Sequence, residues 1–216
     1  MLAIAGGKGG CGKTTTALGL ARALADRGYE PLLVDGDCDM PDIHTLAGIE
    51  RTYGVDSLAD GTALGAAVQP WPANPGVSLL TAGRPAKTDV ALRRVIDWPG
   101  PVLVDSPAGV GPDATRPLRH AEATLGLSTD EPECREDTRQ TLSVARELDA
   151  PPLGVVLRGQ RGSADSESDT VGRTPVLETV DTVTSPLDHH RLGRTWDSLV
   201  DSLWHTPHRH RGGISR

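Results

Sequence analysis

The fold is decided by the stretch GGKGGCGKTT at residues 6–15, which lies between a short apolar run and an amphipathic segment. Residues 7–14 match the pattern G-x-x-x-x-G-K-[ST], and the apolar run at 2–5 predicts a buried strand. Apolar residues spaced three and four apart over 13–26 predict a helix. A glycine-rich turn between a strand and a helix lets successive backbone N–H groups point at phosphate oxygens. The stretch therefore predicts a phosphate-binding loop.

The residues of this loop have separate expected roles. We expect Lys13 to reach the β- and γ-phosphates of a nucleotide, the Thr14 hydroxyl to hold Mg²⁺, and Thr15 to lie at the α-phosphate. Only three lysines occur in the whole chain, and two of them, Lys8 and Lys13, lie in this loop. The predicted nucleotide-binding set is Gly7, Lys8, Gly9, Gly10, Cys11, Gly12, Lys13, Thr14 and Thr15.

Strand and helix patterns alternate along the rest of the chain. Strands are predicted at 31–35, 77–81, 102–105, 123–128, 153–157 and 176–180, and helices at 56–68, 87–97, 135–148 and 189–203. Loops are predicted at 71–76 and, as a polar mobile segment, at 158–173. This alternation predicts an α/β fold: a single doubly wound P-loop NTPase domain over 1–204, with a mostly parallel central sheet flanked by helices. A His- and Arg-rich tail at 205–216 is expected to be disordered.

Carboxylates follow two of the predicted strands. Asp35 and Asp37 stand in VDGDCDMPD at residues 34–42, and Asp105 ends the apolar run of VLVDSPAG at 102–109. Phosphoryl transfer to water depends mostly on positioning and charge neutralisation, and a carboxylate at the end of a strand can hold the attacking water. An apolar strand that ends in Asp is a Walker B arrangement.

Taken together, the motifs resemble the MinD/ParA family of deviant Walker A ATPases. The resemblance is carried by K-G-G-x-G-K-T-T at 8–15, by D-x-D at 35–37, which is similar to the family's switch I, and by D-S-P-A-G at 105–109, which is similar to switch II. It implies ATP and Mg²⁺ as cofactors. It also implies roles for particular side chains: catalytic Lys8, Lys13 and Asp37, and Mg²⁺ held by Thr14, Asp35 and Asp105.

Two of these implied roles are specific to the family. Lys8 is expected to cross a dimer interface and touch the partner's nucleotide, and Asp37 to orient the attacking water. The chain departs from the family after the strand at 153–157, where an Asn that recognises adenine is common and Arg158 stands here. Either stacking by Arg158 or backbone groups are left to read the base.

The resemblance implies an ATPase that dimerises with Mg-ATP and hydrolyses it slowly. Hydrolysis is expected to switch binding to a regulatory protein, DNA or a membrane surface during intracellular positioning or partitioning. Two alternatives remain open: a nucleotide-gated adaptor with negligible turnover, and a metabolic enzyme of the same superfamily, such as an amidoligase.

Composition narrows the classes of function. A formal net charge of -7 argues against a protein that coats nucleic acid, although a local basic patch remains open. Three widely spaced cysteines without C-x-x-C predict neither a disulfide framework nor an Fe–S cluster. No apolar run approaches the ~20 residues of a membrane-spanning helix, and no signal peptide is recognised. A cytoplasmic protein is expected, with peripheral association with membrane or nucleoid left open.

The segment from Trp196 to Trp204 is amphipathic and has two candidate interpretations. Its polar face carries Asp197 and Asp201 rather than basic residues, which disfavours binding to anionic lipid. We therefore predict a final core helix rather than a membrane-binding helix.

Overall fold

The computed structural model describes residues 1–159, 170–180, 187 and 190–204. The strands are β1 (Leu2–Gly6), β2 (Leu32–Asp35), β3 (Gln69–Trp71), β4 (Asn74–Leu80), β5 (Val102–Asp105), β6 (Ala123–Thr129), β7 (Pro152–Arg158), β8 (Thr170–Val171) and β9 (Thr174–Val180). The helices are α1 (Lys13–Asp26), α2 (Ile43–Ala47), α3 (Val55–Ala59), α4 (Leu64–Ala67), α5 (Pro85–Arg94), α6 (Pro112–His120), α7 (Pro132–Glu147) and α8 (His190–Trp204), with a 3₁₀ turn at Val95–Asp97.

Within the described residues, the strands form one sheet in the order β3-β4-β2-β5-β1-β6-β7-β9-β8. The pairs that join β4 through to β9 are parallel. The hairpins β3–β4 and β8–β9, one at each edge, are antiparallel. The central strands β1, β2 and β5 are buried along their whole length, as expected for a parallel sheet covered on both faces. The predicted doubly wound α/β fold is confirmed.

The last helix packs against α1 and belongs to the core. Apolar side chains of α8, including Leu199 and Val200, are buried, and the ring of Trp196 lies against Gly19 of α1. Arg27, just after α1, forms ion pairs with Asp197 and Asp201 on the polar face of α8. The prediction of a final core helix is confirmed, and its acidic face serves this contact.

Several predicted elements are wrong in their extent. The single helix predicted at 56–68 is two short helices, α3 and α4, separated by a turn at 60–63. The loop predicted at 71–76 is part of the β3–β4 hairpin, because β4 begins at Asn74. Helix α6 was not predicted, since its nine residues contain two prolines, Pro112 and Pro117, which weaken the helical pattern.

Other predictions fall partly outside the described residues. Of the polar loop predicted at 158–173, residues 170–171 form β8, and residues 160–169 lie outside the described ranges. The tail predicted at 205–216 also lies outside them, so its disorder stays a prediction. Among the helices that are described, none is both long and apolar enough to cross a membrane.

Candidate functional site

A cavity opens where the carboxyl ends of the central strands meet the N-terminus of α1. Its volume is about 430 Å³, within the range of small-molecule sites. The phosphate loop forms its floor, and the segments after β2, β5 and β7 form its walls. The lining residues are Gly9, Gly10, Gly12, Lys13, Thr14, Thr15, Asp37, Asp39, Met40, Asp42, Leu46, Pro107, Ala108 and Arg158.

The phosphate loop takes a shape that requires glycine at several positions, and Gly12 and Gly7 show two different reasons. Gly12, at the N-cap of α1, has a φ of 96°, in the left-handed region that glycine enters without strain. Gly7 lies against α7: a Cβ there would come within 2.1 Å of the Asp137 Cβ, and the Gly7 N–H is 3.4 Å from the Thr138 Oγ1. Gly12 therefore shapes the loop through its backbone conformation. Gly7 shapes it through its close approach to α7, away from the cavity.

Lys13 is the inner lysine of the loop. Although it carries a charge, it is only 7% exposed, and it lines the cavity. Its Nζ donates to the backbone oxygen of Lys8 at 3.4 Å, which holds the ammonium across the loop. Thr14 and Thr15 follow it on the first turn of α1 and also line the cavity. The structure thus brings these three residues together, as predicted.

Asp35 and Asp105 form a buried pair beneath the loop. They stand opposite each other on the neighbouring strands β2 and β5, and are 0% and 2% exposed. Burial, with a further contribution from Asp105, raises the pKa of Asp35 to about 8. Burial likewise raises the pKa of Asp105 to about 7, although a hydrogen bond from the Thr14 hydroxyl and the charge of Lys13 oppose this. Such carboxylates ionise readily only when a cation joins them.

Buried oxygen atoms without a hydrogen-bond partner also indicate that this region requires a cation. In the described residues, Asp35 Oδ2, Asp105 Oδ1 and the hydroxyl oxygen of Ser106 are buried without a hydrogen-bond partner. Buried polar atoms are rarely left unsatisfied unless a water molecule, an ion or a ligand completes them.

This donor set fits Mg²⁺ better than a tightly caged metal. No cluster of three or more His, Cys, Asp or Glu side chains that could hold an ion occurs among the described residues. Two carboxylates and the Thr14 hydroxyl nevertheless suffice for Mg²⁺, which keeps several waters and takes further oxygens from substrate phosphates. The residues predicted to hold the metal, Thr14, Asp35 and Asp105, therefore fit it.

The acidic residues after Asp35 lie on the cavity wall. Asp37 is partly exposed, and its Oδ1 accepts a hydrogen bond from the Met40 N–H at 3.0 Å. Its own N–H is 3.3 Å from Asp35 Oδ1, so the wall and the buried pair are joined. Asp39 and Asp42 are exposed at the mouth of the cavity. Asp37 is thus placed where a carboxylate can contact a ligand and its surrounding water.

Lys8, the outer lysine of the loop, points away from the cavity. Its Nζ forms an ion pair of 2.8 Å with Glu131 Oε2, just before α7, and the two side chains are 50% and 63% exposed. This hydrogen bond and the charge of Glu131 raise the pKa of Lys8. Glu131 was not singled out from the sequence, because no motif marks it. Its position at the carboxyl end of β6, beside the loop, is the signal that could have found it.

Cys11 contributes only its backbone to the loop. Its side chain is 2% exposed, packs in the main hydrophobic core, and has a pKa raised by burial. All three cysteines of the described structure are free, and Cys134 is buried in the same core. The expectation of no Fe–S cluster stays a prediction.

Comparisons with known proteins identify the family of the chain. Residues 2–201 match the model of the CobQ/CobB/MinD/ParA nucleotide binding domain. The antiactivator FleN of Pseudomonas aeruginosa is 33% identical over 143 residues, which are 61% of this chain and 51% of FleN. An iron-sulfur cluster carrier protein of Methanococcus maripaludis is 26% identical over 176 residues, 72% of this chain and 58% of that protein.

A solved structure shows the same fold at lower identity. The septum site-determining protein MinD of Pyrococcus horikoshii, complexed with Mg-ADP, superposes with a TM-score of 0.82 at 22% identity and covers 93% of both chains. The chain spans only about half to two thirds of the length of the curated relatives it matches. With a match that runs from residue 2 to residue 201, the chain belongs to the family of the CobQ/CobB/MinD/ParA nucleotide binding domain.

Proposed function

We propose that this chain is a MinD/ParA-like ATPase that binds Mg-ATP in the cavity, dimerises with it and hydrolyses it. One observation carries the proposal: Asp35 and Asp105 are paired on neighbouring strands, each has a buried oxygen without a partner, and Asp105 is hydrogen-bonded by Thr14 of the phosphate loop. A buried pair of like charges is costly unless a cation joins it. A nucleotide that brings Mg²⁺ supplies that cation together with the phosphates for which the loop is shaped.

The inner residues of the site bind and position the nucleotide. The N–H groups of the loop and the Lys13 ammonium hold the phosphates, and Thr15, on the first turn of α1, contacts the α-phosphate. Thr14, Asp35 and Asp105 hold the Mg²⁺ with its water shell. When bound, the ion neutralises charge on the phosphate oxygens. The complex of the MinD neighbour with Mg-ADP supports this assignment.

Asp37 is the proposed orienting residue for the attacking water. Phosphoryl transfer to water depends mainly on positioning and on charge neutralisation. Asp37 lines the cavity, and its carboxylate is fixed at one oxygen by the Met40 N–H. The other oxygen is left to contact water, so a bound nucleotide and a water molecule can be brought into line.

Lys8 is the proposed link between two copies of the chain. It lies on the outer rim of the loop with half of its side chain exposed, where a second copy can reach it. Exposed apolar side chains also line the cavity: Met40 is 68% exposed and Leu46 is 45% exposed. Burying such side chains against a partner favours association. Hydrolysis then releases the partner and switches binding to a regulatory protein, DNA or a membrane surface.

The test compares turnover and oligomeric state for Asp37→Ala and a matched control, Asp39→Ala, two residues further along the same wall. Asp37→Ala should bind Mg-ATP as the wild type does, release no phosphate above background and accumulate as an ATP-bound dimer in size-exclusion chromatography with light scattering. Asp39→Ala should behave as the wild type.

Two results would count against the proposal. Phosphate release by Asp37→Ala at the wild-type rate would remove Asp37 from the reaction. The second result is a wild-type chain that binds ATP and dimerises but hydrolyses ATP no faster than Asp37→Ala, even with every candidate partner added. This result would favour the alternative of a nucleotide-gated adaptor.

A further inference from the structure

We infer that Arg158 contacts the phosphates of the nucleotide and contributes to affinity without reading the base. Arg158 is the last residue of β7 and lines the cavity beside the phosphate loop. Its Nη1 donates to the backbone oxygen of Gly10 at 2.8 Å. A Cβ built on Gly12 would lie 3.7 Å from the Arg158 Cδ and 3.9 Å from its Nη1. The guanidinium therefore lies directly over the loop.

Arg158 is held by a backbone carbonyl rather than by a carboxylate. In the described structure, Arg27 and Arg139 form ion pairs with carboxylates, whereas Arg51 and Arg94 also donate to backbone carbonyls, away from the phosphate loop. Within the described ranges, Arg158 donates to the neutral carbonyl of Gly10 and has no carboxylate in ion-pair distance. Arg158 is thus a half-buried cation that lies beside the phosphate loop and has no ion-pair partner among the described residues. Such a cation is suited to bind an anionic ligand.

The position of the guanidinium indicates which part of the nucleotide it meets. Gly10 and Gly12 belong to the segment whose N–H groups surround the phosphates. Arginine presents planar donors that match phosphate oxygens in pairs. It has no acceptor atom, so it cannot accept a hydrogen bond from the amino group of adenine. An arginine here distinguishes a charged phosphate chain from other ligands, but does not select adenine.

The contact with Gly10 is then a resting contact. In the structure, the guanidinium holds a loop carbonyl; with nucleotide present, a hydrogen bond to a phosphate oxygen is the stronger choice because both groups are charged. This inference rests on the proposed function, because it assumes that the cavity binds a nucleoside triphosphate.

Three substitutions separate the charge from the loop contact. Arg158→Ala removes both, Arg158→Gln retains an amide donor for the Gly10 carbonyl without charge, and Arg158→Lys retains the charge. Arg139→Ala on α7, where Arg139 pairs with Glu136, is the matched control. The dissociation constants of Mg-ATP and Mg-GTP are measured by titration calorimetry at one fixed salt concentration, after circular dichroism and thermal midpoints confirm folding.

The expected pattern is specific. Arg158→Ala and Arg158→Gln should each raise the dissociation constant by about tenfold or more, since a hydrogen bond to a charged group is lost. The factor should be the same for Mg-ATP and Mg-GTP. Arg158→Lys retains the charge without the paired donors, so it should weaken binding less than Arg158→Ala and Arg158→Gln do. Arg139→Ala should match the wild type.

Each other outcome overturns the inference. Wild-type affinity in Arg158→Gln would show that only the loop contact matters, and a loss for ATP without a loss for GTP would show a base contact. Unchanged affinity in Arg158→Ala, with binding abolished in Lys13→Ala, would remove this inference but leave the proposed function standing. A folded wild-type chain that binds neither nucleotide would overturn both.

Discussion

The two lysines of the phosphate loop stand five positions apart and lie in opposite environments. Lys13 is 7% exposed and is held across the loop by a backbone oxygen. The side chain of Lys8 is 50% exposed and is held by Glu131, an acidic side chain from a distant part of the chain. The inner lysine is fixed by the fold itself. The outer lysine is held by a contact that another anion can replace.

The acidic residues of the site also divide into buried residues and more exposed ones. Asp35 and Asp105 are buried, have raised pKa values and are incompletely hydrogen-bonded, whereas Asp37 lies partly exposed on the wall of the cavity. The inner set suits tight binding of a nucleotide and its ion. The outer set suits events that change during a cycle, such as hydrolysis and association. If this division is correct, substitutions of the two sets should affect different measurements.

The largest effect is expected for the inner lysine. Lys13→Ala should weaken Mg-ATP binding by about a hundredfold or more, because the contacts that we propose between this buried charge and two phosphates are lost. The control is Lys87→Ala, which removes the third lysine of the chain. Lys87 lies on α5 and forms an ion pair with Asp60. Titration calorimetry measures both. Binding by Lys13→Ala within tenfold of the wild type would contradict the role of the inner set.

The inner set was also the part that could be predicted from sequence. Lys13, Thr14 and the buried strands are marked by local patterns, since a glycine-rich run between a strand and a helix permits few structures. Lys8–Glu131 and Arg158–Gly10 join residues 123 and 148 positions apart, and nothing in the local sequence encodes such pairs. Strand β3, the first residues of β4 and helix α6 were missed because prolines and a short length hide their periodicity.

The second effect is expected for the outer lysine, Lys8, and should change dimerisation of the chain rather than nucleotide binding. Lys8→Ala should bind Mg-ATP within about threefold of the wild type, because the Lys8 side chain lies outside the cavity lining. It should fail to form the ATP-dependent dimer at concentrations where the wild type does. Light scattering after size-exclusion chromatography measures this, with Lys87→Ala again as the control. Dimerisation equal to that of the wild type would remove Lys8 from the interface.

A third, smaller effect tests the buried acids through pH. Without Mg²⁺, Asp35 and Asp105 have folded-state pKa values raised to about 8 and about 7, above the roughly 3.9 of an unfolded chain. The native state therefore binds more protons than the unfolded state in this window, so their contribution to stability falls as pH rises from about 4 to about 8. The thermal midpoint in chelator should fall over this range, and added Mg²⁺ should raise the midpoint more at about pH 8 than at about pH 4.

The same measurement on two variants isolates the pair from other titrating groups. Asp105→Asn removes one charge of the pair and should flatten the fall of the thermal midpoint with pH. Asp39→Asn, an exposed position on the cavity wall, should leave the wild-type slope unchanged. A slope that is the same in wild type and Asp105→Asn would show that the two carboxylates do not repel each other as their burial implies.

The smallest effect is expected for the contact that holds the outer lysine. Glu131→Gln removes the ion-pair partner of Lys8, so the ammonium no longer has to leave a carboxylate before it reaches a second copy. Because both side chains are exposed, the ATP-dependent dimer should become tighter by no more than about fivefold. The control is Glu133→Gln, since Glu133 acts on Lys8 only as a weaker, more distant charge.

Salt dependence identifies the cause of this change. The gain in Glu131→Gln over the wild type should be largest at about 50 mM salt and fade by about 500 mM, because salt screens exposed ion pairs. Sedimentation equilibrium at both concentrations gives the two dimer constants. A weaker dimer in Glu131→Gln would mean that Glu131 assists association instead of competing with it. The outer lysine would then be positioned by its own chain, much as the inner one is, and the contrast between the two would lie only in their exposure.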